Sequence, residues 1–388
     1  MNRDAIRLLH ALFRAALAAV DPRRSVAEAL SRRDVKLALA PARRVGVFAA
    51  GKAAAGMFEA AWRPGREGLV VLPKGFPVPR HRAGVRVLFA AHPIPDSSSV
   101  RAAIAALRFF SRFSPDDVLL CLVSGGSSSL LCLPRSGITL AQKVRAVSRL
   151  VRTGAPITDV NRLRASLSAI KGGQLGRGTS ARLVTLVVSD VPGDRPSLVG
   201  SGPTVRGRAG DLTRVVASNR IGLEGAARAA RRLGLIPRIR RRRLEGEARE
   251  VGRRLGRAVA RLAAREALVA GGETTVTLGR THGKGGRSLE VALAAALSME
   301  SHPESGLLAA GSDGRDGSSE AAGALAGGWT ILRARKLGLD PLHALSSHDT
   351  EPFFSRVGGL VVTGPTGTNV ADWAFGVRAH ERELGTRK

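Results

Sequence analysis

Cysteine, methionine, tryptophan and tyrosine are scarce in this chain of 388 residues, which holds two Cys, three Met, three Trp and no Tyr. Cys121 and Cys132 lie inside apolar runs, which excludes a disulfide-stapled fold and suits buried thiols in a reducing compartment such as the cytoplasm. Aromatic residues make up 4%, so platforms for stacking nucleic-acid bases are few. No apolar run approaches the ~20 residues of a membrane span. The N-terminus has Ile6, Leu9, Phe13, Leu17 and Val20 at helical spacing. It reads as an amphipathic surface helix, without the compact apolar block and cleavage site of a secretory signal. The eight histidines are scattered, with no Cys/His cluster at zinc spacing. There is no GxSxG elbow, so Ser127 as an acyl nucleophile would have only His92 as its base. No GxGxxG with a later acidic residue marks a nicotinamide site.

Basic charge is abundant instead. Lys and Arg total 61 against 31 Asp and Glu, a net charge of +30, and lysine occupies only eight of those positions. Such a charge would attract nucleic acid. An Arg- and Ala-biased composition on solvated faces explains it as well, and the lack of stacking aromatics argues against nucleic acid as a partner. The charge still favours an anionic substrate.

The chain is organised around Val118 to Leu131, VLLCLVSGGSSSLL. Six consecutive apolar residues suit a parallel strand buried on both faces. The turn that follows, Ser124 to Ser129, offers glycines for close backbone approach, and hydroxyls and N–H groups at a helix start for anions. The pattern recurs along the chain. Strands are expected at Val45–Ala50, Gly68–Leu72, Val85–Ala90 and Leu183–Val188, then at Leu268–Ala270, Val276–Leu278, Leu307–Ala310 and Leu360–Thr363. Each ends in a loop of Gly, Ser, Thr, Asp or Lys. Helices are expected near Val26–Leu39, Ala53–Trp62, Leu140–Val151 and Leu289–Leu297. Another is expected over Asp159–Gly173, with Lys171 in its last turn. Gly46 to Ala53 spells GxxxxGKA but is no P-loop, because Gly46 falls inside a strand and Ala53 lacks the hydroxyl for magnesium.

Ligands of open α/β sheets bind beyond the carboxyl ends of the strands. The reading is therefore α/β with two α/β domains. The first, 1–235, is Rossmann-like with a mostly parallel sheet; 236–265 is an Arg-rich helical linker; 266–388 is a smaller mixed domain. The loops face a shared active-site cleft. Their inventory is that of phosphoryl transfer, which needs cations and N–H donors around phosphate oxygens and a hard metal ion. Lys52, Lys171 and Arg287 supply cations at helix ends. Backbone N–H groups come from Ser124, Gly125, Gly126 and Ser127, and from the loops at Gly285 and Gly364. Asp190, Asp313 and Asp316 are candidate magnesium ligands.

At these loops the sequence resembles the glycerate 2-kinase family, whose C-terminal half is called the MOFRL domain. The matching strings run in order: AAGKAA, AHPIPD, VSGGSSSLL, DVNRLRASLSAIKGG, VSDVPGD, SGPTV, GGETTV, GKGGRSLE, GSDGRDGSSEAAGA and TGPTGTNVAD. The resemblance covers nearly the whole chain. It implies transfer of the ATP γ-phosphate to the 2-hydroxyl of D-glycerate, with Mg2+, giving 2-phosphoglycerate. It places the catalytic lysine on Lys52 and the catalytic arginine on Arg287. Gly286, Thr366 and Asn369 join the nucleotide-binding residues. The family usually has a third Gly at Ser127, Asn at Ser288, a basic pair at Ala165-Ser166 and often Asp near Gly327. The missing pair weakens the case for substrate contacts from that helix. Hydroxypyruvate reductase, an older label in the family, is the alternative; a basic nucleic-acid-binding protein is a more distant one. A homodimer is left open.

Overall fold

The computed structural model describes residues 3–153, 157–279 and 281–378. The chain forms two compact units. One, here the parallel unit, takes Val20–Ser218 with Gly367–Val370. The other, the mixed unit, takes the N-terminal stretch to Ala19, then Asn219–Thr366 and the stretch from Ala371 onward.

Six strands build the sheet of the parallel unit: β1 (Val45–Ala50), β2 (Gly68–Pro73), β3 (Val85–Ala90), β4 (Val118–Ser124), β5 (Arg182–Ser189) and β6 (Leu212–Ser218). All neighbours pair in parallel, in the order β3-β2-β1-β4-β5-β6. Val118–Ser124 is buried throughout, as a strand with apolar side chains on both faces requires. Phe48, Leu119, Cys121 and Leu183 point to a core completed by Ala102, Ala106, Phe109 and Phe110 of helix Ser97–Phe110. Their alternates Val47, Ala49, Leu120 and Leu122 are equally buried on the other face, where helix Ala54–Ala61 lies against β1, β2 and β4. Gly46 does sit inside β1; a Cβ there would be 2.3 Å from the Phe113 ring.

The mixed unit holds β7 (Ile236–Ile239), β8 (Glu266–Gly272), β9 (Ser305–Gly311), β10 (Gly323–Gly327), β11 (Leu360–Val361) and β12 (Asp372–Arg378). Their order is β11-β10-β9-β12-β8-β7; β7 and β8 are parallel and the other neighbours antiparallel. One face carries a core of Leu268, Ala270, Leu307, Ala309 and Ala374 under helices Ala248–Ala260 and Arg287–Ser298. Toward helices Arg3–Ala19 and Asn219–Arg232, Trp373 meets Phe13 edge to face at 6.2 Å and donates its indole N–H to the Asn219 carbonyl.

Several expectations are corrected here. The stretch 236–265 is no linker: it supplies edge strand β7 and helix Ala248–Ala260, whose Val251, Leu255 and Val259 belong to the mixed-unit core. The N-terminal helix forms over Arg3–Ala19, buries Leu8, Leu9, Leu12 and Phe13, and is grouped with the mixed unit. Val276–Leu278 is no strand; its neighbour Thr275 forms one isolated bridge with Glu247. The helix expected over Asp159–Gly173 ends at Ser166, so Lys171 lies in a separate turn. Strands β6, β7, β10 and β12 were not anticipated. Among the described residues no helix is long and apolar enough to cross a membrane.

Helices Ala248–Ala260 and Arg287–Ser298 approach at two glycines one turn apart. A Cβ on Gly252 would be 2.5 Å from the Val291 carbonyl oxygen, and one on Gly256 2.4 Å from that of Ala295. Gly256→Val should therefore lower stability by roughly 1–3 kcal/mol or more, the range of core overpacking. Gly56→Ala, in a helix where the nearest atom is 3.5 Å from the new Cβ, should be neutral or stabilising. Urea denaturation of both variants checks this. Wild-type stability of Gly256→Val would contradict it.

Candidate functional site

Strand order reverses between β1 and β4, and open α/β sheets hold their ligands outside the strand ends at such a reversal. The register aligns Ala50 with Val123 and Ser124 with Val188, so the loops after β1, β4 and β5 leave the sheet at one level. Gly51, at φ +125°, lets the chain turn so tightly that a Cβ would be 2.1 Å from Ser124 Oγ. The Lys52 N–H donates to the Gly125 carbonyl at 2.9 Å, and the Ala53 N–H to Ser124 Oγ at 3.1 Å. Gly126, at φ +86°, starts the turn Ser127–Leu130. A Cβ there would be 3.3 Å from both Lys52 Cγ and His92 Nε2, and one on Gly125 would be 2.0 Å from Asp190 Oδ2. Lys52, His92 and Asp190 thus gather on two glycines.

The same turn supplies hydrogen-bond donors. Among the described residues, no backbone carbonyl takes the N–H of Gly125, Gly126, Ser127 or Ser128. Ser127 Oγ is buried without a partner and faces Gly200, where a Cβ would be 2.0 Å away. It is turned away from the role of a nucleophile with His92 as base. Lys171 is buried and donates from Nζ to the Ser128 carbonyl at 2.5 Å and to Ser128 Oγ at 2.8 Å. Burial pushes its pKa down to about 7. Burial, and then the Lys52 charge, lower that of His92, which favours the neutral imidazole.

In the mixed unit, Arg287 opens helix Arg287–Ser298 after Gly286, the N-cap, rather than preceding a cap at Ser288. Its Nε and Nη2 donate to Asp372 at 2.6 and 3.2 Å, and its Nη1 to Glu273 at 2.6 Å. Burial opposes the arginine's charge, but Asp372 and Glu273 more than offset it and hold the pKa above its usual value. Burial raises Asp372 to about 6 against the pull of Arg287. Asp316 caps this helix: its Oδ1 and Oδ2 accept the N–H groups of Ser288 and Leu289 at 3.0 and 2.8 Å. The Gly285 N–H donates to Ser318 Oγ at 3.1 Å. A Cβ on Gly286 would be 2.3 Å from the Asp316 carbonyl oxygen. These two glycines serve close packing in the loop. Thr366 Oγ1 donates to the Ser312 carbonyl at 2.5 Å, and its N–H to that of Asp313. Asn369 falls in the short segment grouped with the parallel unit.

Among the described residues no three His, Cys, Asp or Glu side chains gather as a metal cage. Magnesium beside phosphates asks for only one or two carboxylates. Asp190, pressed on the glycine turn, fits that requirement; Asp313 lies in the mixed unit, next to the Thr366 loop. Glu273 and Asp372 were not singled out from the sequence, although both stand in strings quoted for the resemblance, GGETTV and TGPTGTNVAD. Which basic residue they would hold was not visible there.

Residues 8–233 match a family described as "Domain of unknown function (DUF4147)", and residues 266–372 match the MOFRL family. A protein of Agrobacterium vitis named "Putative hydroxypyruvate reductase" is 39% identical, over 95% of this chain and 93% of its own. The "Glycerate 2-kinase" of Pyrococcus horikoshii is 34% identical, over 92% of this chain and 93% of its own. The crystal structure of a glycerate kinase from Thermotoga maritima superposes with a TM-score of 0.86 at 30% identity, covering 96% of this chain and 99% of that one.

The buried lysine makes stability depend on pH. Unfolded, Lys171 takes up its proton below about 10.5; folded, only below about 7. Across that window the unfolded state binds more protons, so stability rises with pH. Lys143, lowered by burial to about 8, adds a smaller contribution of the same sign. Lys171→Met should flatten the rise of the urea midpoint between pH 7 and 9.5. An unchanged slope would contradict the assignment.

Proposed function

This chain belongs to the glycerate 2-kinase family, and from that premise we propose that it transfers the γ-phosphoryl group of ATP to the 2-hydroxyl of D-glycerate, giving 2-phosphoglycerate. The observation that carries the reading is the turn at the sheet's reversal point, where among the described residues no backbone carbonyl takes the N–H donors from Gly125 to Ser128, beside Lys52. Phosphoryl transfer is catalysed mainly by positioning and by stabilising charge on the equatorial oxygens. The turn's N–H groups hold phosphate oxygens, and Lys52 adds a fixed cation. Arg287, kept ionised by Asp372 and Glu273, adds a second. His92, neutral at the same turn, is placed to accept the proton of the attacking hydroxyl. Magnesium, when bound, would neutralise phosphate charge, and Asp190 is the residue at this turn that would hold it.

The reductase reading finds no nicotinamide fingerprint after β1, where the chain runs Gly51-Lys52-Ala53. The two activities separate in one pair of assays. Coupled ADP release with D-glycerate and Mg·ATP should be saturable, and hydroxypyruvate should not drive NADH oxidation. The opposite pattern would overturn the proposal.

Lys52→Ala and Arg287→Ala should each cut kcat by roughly 10² or more, the order seen for removing one such electrostatic donor, with KM moving less. The double variant should lose less than the product of the two single losses, since groups acting as a unit are not additive. Arg287→Lys, which retains the charge but not the fork, controls for disturbance of Asp372. Either alanine variant within about threefold of wild-type kcat, ~0.65 kcal/mol, removes that residue from the mechanism.

A further inference from the structure

The parallel unit holds a half-open pocket of about 320 Å³. Three cations line it: Lys143 from helix Leu140–Arg152, Arg164 from helix Ile157–Ser166, and Lys171. Both lysines are at most 3% exposed. Buried cations are ordinarily paired with carboxylates, yet among the described residues no Asp or Glu lines this cavity. The lysines bond only neutral oxygens. Lys143 Nζ donates to the carbonyls of Leu167 and Arg164 at 3.0 and 3.4 Å, and Lys171 to Ser128. An ammonium has three hydrogens, so each lysine keeps one uncommitted. Arg164 donates to Asn161 Oδ1 at 3.4 Å and keeps most of its fork. The cluster is short of one anion.

The remaining lining narrows the choice. Ser128 and Ser129 add hydroxyls, while Pro93, Pro95, Val144 and Val147 form an apolar wall. A triphosphate is ionic along its length and suits the N–H donors of the turn. A short-chain hydroxy acid matches the cavity better, with its carboxylate on the cations, its hydroxyl toward the serines and its carbons on the prolines and valines. Ser128 lies two residues beyond Gly126, where Lys52 packs, so an acid held here presents its hydroxyl toward the phosphate turn.

We propose that this cavity is the recognition site for the substrate's carboxylate, with Lys143, Arg164 and Lys171 as its binding residues. The inference rests on the kinase reading for the identity of the acid. It moves Lys171 from the nucleotide to the acceptor, and it gives helix Ile157–Ser166 a substrate contact, Arg164, despite the missing basic pair at Ala165-Ser166.

The test uses the full chain and D-glycerate. Lys143→Met and Arg164→Met should each raise KM for D-glycerate by roughly 10- to 100-fold, the range of hydrogen bonds to charged groups. KM for ATP should not move, and circular dichroism should show both variants folded. Glycerol, which lacks the carboxylate, should be a poor acceptor for the wild type, and the variants should turn it over no worse. A rise in KM for ATP instead would assign the cavity to the nucleotide and overturn the inference; unchanged KM for both substrates would overturn it too. Should the wild type show no kinase activity, the kinase reading falls, and calorimetric titration of D-glycerate decides the cavity separately. Binding that is lost in Arg164→Met sustains it, and no binding to the wild type rejects it.

Discussion

The site in the parallel unit depends on one constraint, the parallel pairing of β1 with both β2 and β4. Strand order reverses there, so the crossovers from β1 and β4 depart in opposite directions and leave their loops side by side. Everything chemical in that unit follows from the shared level at which the strands end. Lys52 leaves β1 next to the Gly125 carbonyl because Gly51 turns with Ser124 Oγ at its Cα. A side chain at Gly51 or Gly126 would separate the loops by about its own radius, and Asp190 and His92 would lose their footing. The apolar content of β4 therefore fixes where the glycine turn sits as well as the core.

Charge is handled in two ways in this protein, and the contrast carries functional meaning. Arg287 has a bidentate partner in Asp372 and a third contact in Glu273. The ion pair keeps the guanidinium charged and oriented without any ligand. Among the described residues Lys143, Arg164 and Lys171 have no such partner and donate to carbonyl, hydroxyl and amide oxygens. Burying cations without counter-charge lowers stability. Natural proteins concentrate such costs where a ligand later offsets them. Fixed cations suit a developing charge that appears only in the reaction; open ones suit an anion that arrives already charged.

Much of this was legible from residues alone. The continuous apolar strands β1, β2, β4 and β5 declare themselves because a strand buried on both faces needs no alternation. Their loops stand out by glycine, serine and aspartate. The structure departed from the sequence where tertiary context decides. β10, Gly323–Gly327, is built of Gly, Ala and Leu, with no β-branched residue to signal a strand. β7 is short, arginine-bearing and on the sheet edge, so it read as linker. Helix Arg3–Ala19 is amphipathic by pattern, but which sheet its apolar stripe covers is a long-range choice that periodicity does not encode. Asp316 looks like a metal ligand in the sequence because it stands in the Gly-rich loop after a strand, directly before Gly317. Its capping role became visible only once Ser288 and Leu289 were brought to it across 27 or more residues of chain. Lys143 carried no motif signal, and Arg164, though inside the string DVNRLRASLSAIKGG, did not stand out, since a basic residue on a helix is ordinarily solvated.

The central claim is that these loops direct phosphate to the 2-hydroxyl of a short hydroxy acid. Phosphorus-31 NMR of the product formed from D-glycerate and Mg·ATP tests it most directly. A phosphate on C2 couples to a single carbon-bound proton and gives a doublet, which the account predicts as the sole new monoester signal. A triplet from phosphate on the CH2 group of C3, or no new phosphate monoester while ATP is consumed, would contradict it.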